Sequence, residues 1–97
     1  MVVYIYTTTA DGAEGKDRVT LDIPAGQGEF AKDIIDRRTA LDKKTIIYMQ
    51  TMGQVSTDTM EDVSHDFAGG ALLWSCYNGE KQGAALANVI FGDVNPS

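Results

Sequence analysis

One short segment of the chain concentrates residue types that bind cations or basic surfaces. It holds four carboxylates and one imidazole, at Asp58, Glu61, Asp62, His65 and Asp66. Glu61 and His65 stand four residues apart, a spacing that places both on one face of a helix. Carboxylate and imidazole groups so placed can bind a divalent metal ion, and the carboxylates alone can bind a basic protein surface. Plain solvation of an exposed helix face is the third interpretation of this pattern.

A helix that begins at Asp58 would position these side chains. Residues 58–61 have the form of a capping box with aspartate at the N-cap. At about 100° per residue, Met60, Val63 and Phe67 fall on one narrow face, opposite the acidic residues. Two glycines at 69–70 provide an ordinary end for the helix. We therefore expect a short amphipathic helix whose outer face is acidic.

Established catalytic patterns are not satisfied by this cluster. Ser64, His65 and Asp66 are the residue types of a catalytic triad, but neighbours on a helix point in different directions and cannot form a relay. A catalytic zinc site needs three protein ligands, and the chain has no second histidine. Paired acid–base carboxylates need one group in an apolar pocket, and all the acids, Asp22 included, are expected on exposed faces. The sequence thus predicts no catalytic residue, no metal site and no cofactor, and we expect a protein that is not an enzyme.

The remaining segments predict a small sheet with two helices. Strands are expected at 2–8, 18–23, 45–51, 71–77 and 84–91, where residues are β-branched, aromatic or alternating. A stripe of Phe30, Ile34, Arg38 and Leu41, flanked by Ala31 and Ile35, predicts a helix before the acidic one. Asn78-Gly79 predicts a tight hairpin between the last two strands, with helix as the alternative for 84–91. The predicted fold is one α+β domain over residues 1–97, with about five mostly antiparallel strands in the order β-β-α-β-α-β-β.

The charge of the chain is negative and unevenly distributed. The net charge is −6, and no lysine or arginine occurs between Lys44 and Lys81. This argues against direct binding to nucleic acid or to membranes, and no stretch has transmembrane length. Cys76, the single cysteine, excludes an internal disulfide and lies in an apolar stretch that predicts a buried thiol. We therefore expect a cytoplasmic, intracellular protein.

These features favour a small acidic binding protein. Helix-borne carboxylates can imitate a row of phosphates, so residues 58–66 would bind a protein partner with a basic surface and inhibit it by occupying a nucleic-acid groove. Phage inhibitors of bacterial defence nucleases share this size and charge, a likeness of general character only. Two alternatives stay open: a virion or multiprotein-complex subunit that forms a homo-oligomer through sheet edges, and a small metal-dependent enzyme. No motif is specific enough to assign a family.

Overall fold

Three parallel strands form the sheet of the computed structural model, which describes residues 1–58 and 70–96. In this part of the chain the elements are β1 (Val2–Tyr6), α1 (Gln27–Thr39), β2 (Ile46–Gln50), β3 (Ala71–Ser75) and α2 (Gln82–Ile90). A 3-10 turn at Pro24–Gly26 leads into α1. The spatial order β1-β2-β3 follows the chain, and neighbouring strands run parallel.

Strand β2 occupies the centre of this sheet. Ile47, Tyr48 and Met49 are all buried, although their side chains alternate between the two faces. A strand covered on both sides needs a nearly continuous apolar run, and Ile46-Ile47-Tyr48-Met49 supplies one. The predicted strands at 2–8, 45–51 and 71–77 contain β1, β2 and β3, so these three segments lie where the sequence predicts.

One face of the sheet packs against α1. The residues of this core are Val3, Ile5, Ala31, Ile35, Ile47 and Met49. Ala31 and Ile35 come from α1, whereas Phe30 and Leu41 of the predicted stripe are exposed. The helix therefore lies where the sequence predicts, but its buried face is centred about one residue further along the chain.

The opposite face of the sheet carries tyrosines and α2. The ring of Tyr4 stacks on those of Tyr6 and Tyr48, with centroids 5.5 and 5.6 Å apart. None of the residues of α2 is buried. A hydrogen bond of 2.7 Å from Gln50 Nε2 to Gln82 Oε1 links the start of α2 to the sheet. Polar contacts therefore connect this helix to the tyrosine face, whereas α1 packs on an apolar core.

The predicted fold of about five mostly antiparallel strands is wrong. Residues 18–23 were expected to form the second strand of a hairpin, but they lie in a loop where Val19 and Leu21 are exposed. Residues 84–90 belong to α2 and not to a strand. Parallel strands cannot be joined by tight hairpins and need a crossover, which α1 provides between β1 and β2.

The predicted hairpin at Asn78-Gly79 fails for a local reason. The side-chain amide of Asn78 donates hydrogen bonds to Ser75 Oγ at 2.9 Å and to Tyr48 Oη at 3.1 Å. The Gly79 carbonyl accepts a bond of 3.1 Å from the Gln82 N–H, so these residues lead into α2.

Cys76, predicted to be buried, is exposed. The second predicted helix spans residues 58–69, and only the first of these belongs to the described residues.

Candidate functional site

The carboxyl ends of the three strands lie at one edge of the sheet. In open parallel sheets, ligands bind beyond this edge, in the loops that follow the strands. The first loop, residues 7–23, follows β1, and the second loop, residues 51–58, follows β2. The third loop, residues 76–81, joins β3 to α2. These loops are where a site is expected.

Buried threonines connect the three loops. The Met52 N–H donates to Thr7 Oγ1 at 2.9 Å, and the Tyr77 hydroxyl donates to the Thr7 carbonyl at 2.8 Å. Trp74 Nε1 donates to Thr51 Oγ1 at 2.8 Å. Both threonines are buried, and hydrogen bonds to buried hydroxyls fix their position. The base of the first loop is thereby attached to the other two.

A defined turn carries Glu14 at its tip. Ala13 and Lys16 exchange two backbone hydrogen bonds, with N···O distances of 3.1 and 2.9 Å. Glu14 and Gly15 lie between them, and Gly15 has a φ of +76°, a conformation that glycine adopts without strain. Lys16 Nζ donates to the Ala10 carbonyl across the loop. The turn thus fixes the backbone from which the exposed Glu14 side chain extends.

Two of the loop's four carboxylates are bound within the loop. Asp11 Oδ2 accepts hydrogen bonds from the Thr8 N–H at 2.7 Å and the Thr8 hydroxyl at 3.0 Å. The bond from the Thr8 N–H lowers the pKa of Asp11 most, and the bond from the Thr8 hydroxyl lowers it further. Nearby cations act in the same direction. Asp22 Oδ2 accepts from the Thr20 hydroxyl at 2.7 Å. Both aspartates therefore help to shape the loop.

The other two carboxylates are unoccupied by protein groups. Within residues 1–58 and 70–96, the carboxylates of Glu14 and Asp17 form no hydrogen bond and no ion pair. Both residues are exposed. Asp17 also lines a surface cavity of about 380 Å³, together with Arg18 and Asp22. The free carboxylate of Asp17 thus lies beside a cavity, and a carboxylate so placed can exchange protons with a bound molecule.

A larger cavity, of about 600 Å³, lies on the tyrosine side of the sheet. Its walls include Leu73 of β3 and Leu86 and Val89 of α2. Nearby, the Tyr4 hydroxyl donates to Gln50 Oε1. Burial raises the pKa of the Tyr4 phenol, and the neighbouring phenols add to this effect. The raised pKa favours the neutral hydroxyl, which suits its role as a donor.

The residues predicted to bind a partner lie almost entirely outside the described ranges. Glu61, Asp62, His65 and Asp66, which also formed the metal-site alternative, are not among the described residues. Asp58 is exposed, and its N–H donates to Ser56 Oγ at 3.2 Å. In residues 1–58 and 70–96, no group of three or more His, Cys, Asp or Glu is placed to hold a metal ion. The partner-binding role of these five residues stays a prediction.

Comparison with known proteins identifies the family of the chain. A model of the glycosyl hydrolase family 3 C-terminal domain matches residues 1–97. The chain belongs to this family. The family 3 chain is similar to probable beta-D-xylosidase 6 of Arabidopsis thaliana, with 40% identity over 86% of this chain. It is also similar to probable beta-glucosidase L of Aspergillus terreus, with 34% identity over 92% of this chain. Xylan 1,4-beta-xylosidase of Xylanibacter ruminicola is 34% identical over 89% of it.

The family 3 chain spans about a tenth of the length of these relatives, since the matches cover 10%, 11% and 9% of them. No solved structure matches the chain. The helices of residues 1–58 and 70–96 are too short or too polar to cross a membrane. The predicted protein partner, homo-oligomer, intracellular location and single domain are not tested by these findings and stay predictions.

Membership of this family overturns the predicted function. A nucleic-acid mimic that inhibits a basic partner is wrong, as is an assembly subunit, because the relatives are named as glycoside hydrolases. The prediction that the chain is not an enzyme is wrong for its family on the same ground. The sequence could have indicated a candidate site in the first loop, since four acids lie between Thr7 and Pro24 after an apolar strand. The interpretation of residues 18–23 as a strand divided this acidic loop and so hid the pattern.

Proposed function

We propose that this chain contributes its first loop to the active site of a β-glycosidase that releases glucose or xylose units. The relatives named as beta-glucosidases and beta-xylosidases support the substrate class. The observation that carries the proposal is the pair of free carboxylates, Glu14 and Asp17, at the ligand-binding edge of the sheet. Because the chain spans about a tenth of those relatives, the complete enzyme would supply the rest of the active site.

Hydrolysis of a glycosidic bond uses two carboxyl groups, one of which protonates the oxygen of the leaving group. Asp11 is poorly suited to that role, since its lowered pKa keeps it ionised and its Oδ2 is bound by Thr8. Glu14 stands at the tip of a turn, and Asp17 borders the cavity of about 380 Å³. We assign the proton donor to one of these two residues.

Aryl glycosides with different leaving groups test this assignment. The complete protein would be assayed with phenyl and dinitrophenyl β-glucosides and β-xylosides, as parent, Glu14→Gln, Asp17→Asn and the control Asp33→Asn on α1. Loss of the proton donor should lower kcat/KM for the phenyl glycoside by about 10²- to 10⁴-fold. The dinitrophenyl glycoside should lose much less, because its leaving group departs without a proton. The control should match the parent.

Two results would overturn the proposal. One is a complete protein that hydrolyses none of these glycosides. The other is a phenyl-glycoside rate that stays within twofold of the parent in both Glu14→Gln and Asp17→Asn. The ratio of kcat/KM for the glucoside and the xyloside in the parent would show which of the two sugars the enzyme prefers.

A further inference from the structure

Arg18 joins the first loop to the second loop directly after Asp17. Its Nη1 donates to the Gln54 carbonyl at 3.1 Å, and its Nη2 donates to the Asp22 carbonyl at 2.9 Å. One of these carbonyls belongs to the loop after β2, and the other to the first loop itself. A guanidinium group can make both bonds at once because its donors are held in one plane.

The stem of Arg18 also packs against the other end of the turn. A methyl group added at Gly12 would lie 3.2 Å from Arg18 Cγ and 2.9 Å from Met52 Sδ, closer than such contacts normally are. Gly12 is buried beneath these two side chains. Arg18 therefore contacts the first loop both before and after the segment that carries Glu14 and Asp17.

No carboxylate in the described part of the chain forms an ion pair with Arg18. Two further hydrogen bonds join these loops among the described residues: the Ser56 N–H donates to the Leu21 carbonyl at 2.7 Å, and the Met52 N–H donates to Thr7 Oγ1 at 2.9 Å. The guanidinium of Arg18 thus links the two loops through carbonyl oxygens, and its charge acts on Asp11 without a direct ion pair. A catalytic group displaced by about 1 Å can lose about 10²-fold in rate.

We infer that Arg18 is a positioning residue that fixes the proton-donating carboxylate of the first loop against the substrate. This inference rests on the proposed function, because it requires Glu14 or Asp17 to be the proton donor. Arg18 would act through that carboxylate and would not contact the sugar.

A double-mutant cycle tests the inference in the complete protein. Arg18→Met keeps the aliphatic stem and removes both donors, and Arg18→Lys retains a charge that can reach one carbonyl at a time. Arg37→Met, on α1, is the matched control. For the phenyl glycoside, Arg18→Met should lower kcat by about 10²-fold with a smaller change in KM, and Arg18→Lys should recover part of that loss. Arg37→Met should retain the parent kcat.

The decisive measurement combines Arg18→Met with the Glu14→Gln or Asp17→Asn variant that lost activity. If Arg18 acts through the carboxylate, the double variant should be no slower than the carboxylate variant alone. Multiplied losses would overturn the inference while leaving the proposed function intact, as would a kcat within twofold of the parent in Arg18→Met. If neither carboxylate variant loses activity, the proposed function fails and this inference fails with it.

Misfolding of Arg18→Met would be detected as a large fall in Tm. In that case Gly12→Ala replaces it, because the added methyl group crowds the Arg18 stem, together with Met52, without removing a donor. Gly12 has no positive φ, so alanine introduces no backbone strain there. A reduced kcat with the same leaving-group dependence as the carboxylate variant supports the inference, and an unchanged kcat overturns it.

Discussion

Helix α1 pairs two of its acids with cations one turn away, whereas no acid of the first loop forms an ion pair with a described residue. On α1, Lys32 Nζ lies 2.9 Å from Asp36 Oδ2, and Arg37 Nε lies 2.9 Å from Asp33 Oδ2. Each pair spans one helical turn at the i, i+4 spacing. Two of the three acids of α1, Asp33 and Asp36, are therefore neutralised by a neighbour in sequence, whereas Glu29 forms no ion pair with a described residue.

In the first loop, the cations bind carbonyl oxygens. Lys16 donates to the Ala10 carbonyl, and Arg18 donates to the carbonyls of Asp22 and Gln54. The backbone of α1 satisfies its own carbonyls, but a loop has no such ladder and needs other donors. As a result, Glu14 and the neighbouring aspartate at position 17 keep free carboxylates. The difference shows how local backbone structure decides whether an acid is available for chemistry.

The two regions should also differ in their apolar side chains, because α1 packs on an apolar core and the first loop is held by hydrogen bonds. The largest effect is expected here. Ile47 is 0% exposed in the core under α1, whereas Val19 in the first loop is 101% exposed. Ile47→Ala should lower the free energy of unfolding by about 2–5 kcal/mol. Val19→Ala should change it by less than about 0.5 kcal/mol, as surface substitutions usually do. Urea denaturation of both variants measures the two values. Equal losses would mean that the loop depends on apolar packing, contrary to the comparison.

The positions of three strands and of α1 were predictable from the sequence, but strand direction and the structure of residues 18–23 and 84–90 were not. The apolar run Ile46-Ile47-Tyr48-Met49 identified the central strand, and helical spacing identified α1. The alternation in residues 18–23 suggested a strand, although there the Arg18 side chain and the Ser56 N–H provide partners for carbonyls of the loop. Local patterns carry no information on such distant partners. The expected hairpin is therefore wrong, and the local pattern alone could not have indicated the parallel crossover.

The candidate site escaped prediction because charge was counted by segment. Residues 45–80 contain no lysine or arginine, whereas residues 1–44 carry eight acids and seven bases. The near-neutral total of residues 1–44 conceals that the first loop has four acids and two bases, and that both bases bind carbonyls and leave Glu14 and Asp17 unpaired. Only the folded arrangement separates an acid with a partner from one without. The sequence could have indicated the loop itself, from its four acids after an apolar strand.

A smaller effect is expected from the ion pairs of α1. The side chains of Asp33 and Arg37 are more than half exposed, so water screens their attraction. A double-mutant cycle with Asp33→Ala and Arg37→Ala should give a coupling free energy of about 0.3–0.5 kcal/mol. The coupling should disappear in 1 M salt. A coupling several times larger would show that the stability of α1 depends on its ion pairs and not mainly on its apolar core, which would contradict the comparison.

The smallest effect is expected at Asp11, whose carboxylate is bound by Thr8 but remains in contact with water. The pKa of Asp11 is lowered in the folded protein, so its ionised form stabilises the fold at pH values above the pKa of the unfolded chain. That contribution is lost as the pH falls through the lowered pKa. Asp11→Asn should therefore be less stable than the parent at neutral pH, and the difference should shrink in acid. Denaturation curves at several pH values measure it. A difference that grows in acid would contradict the assignment of Asp11 as an ionised acceptor within the loop.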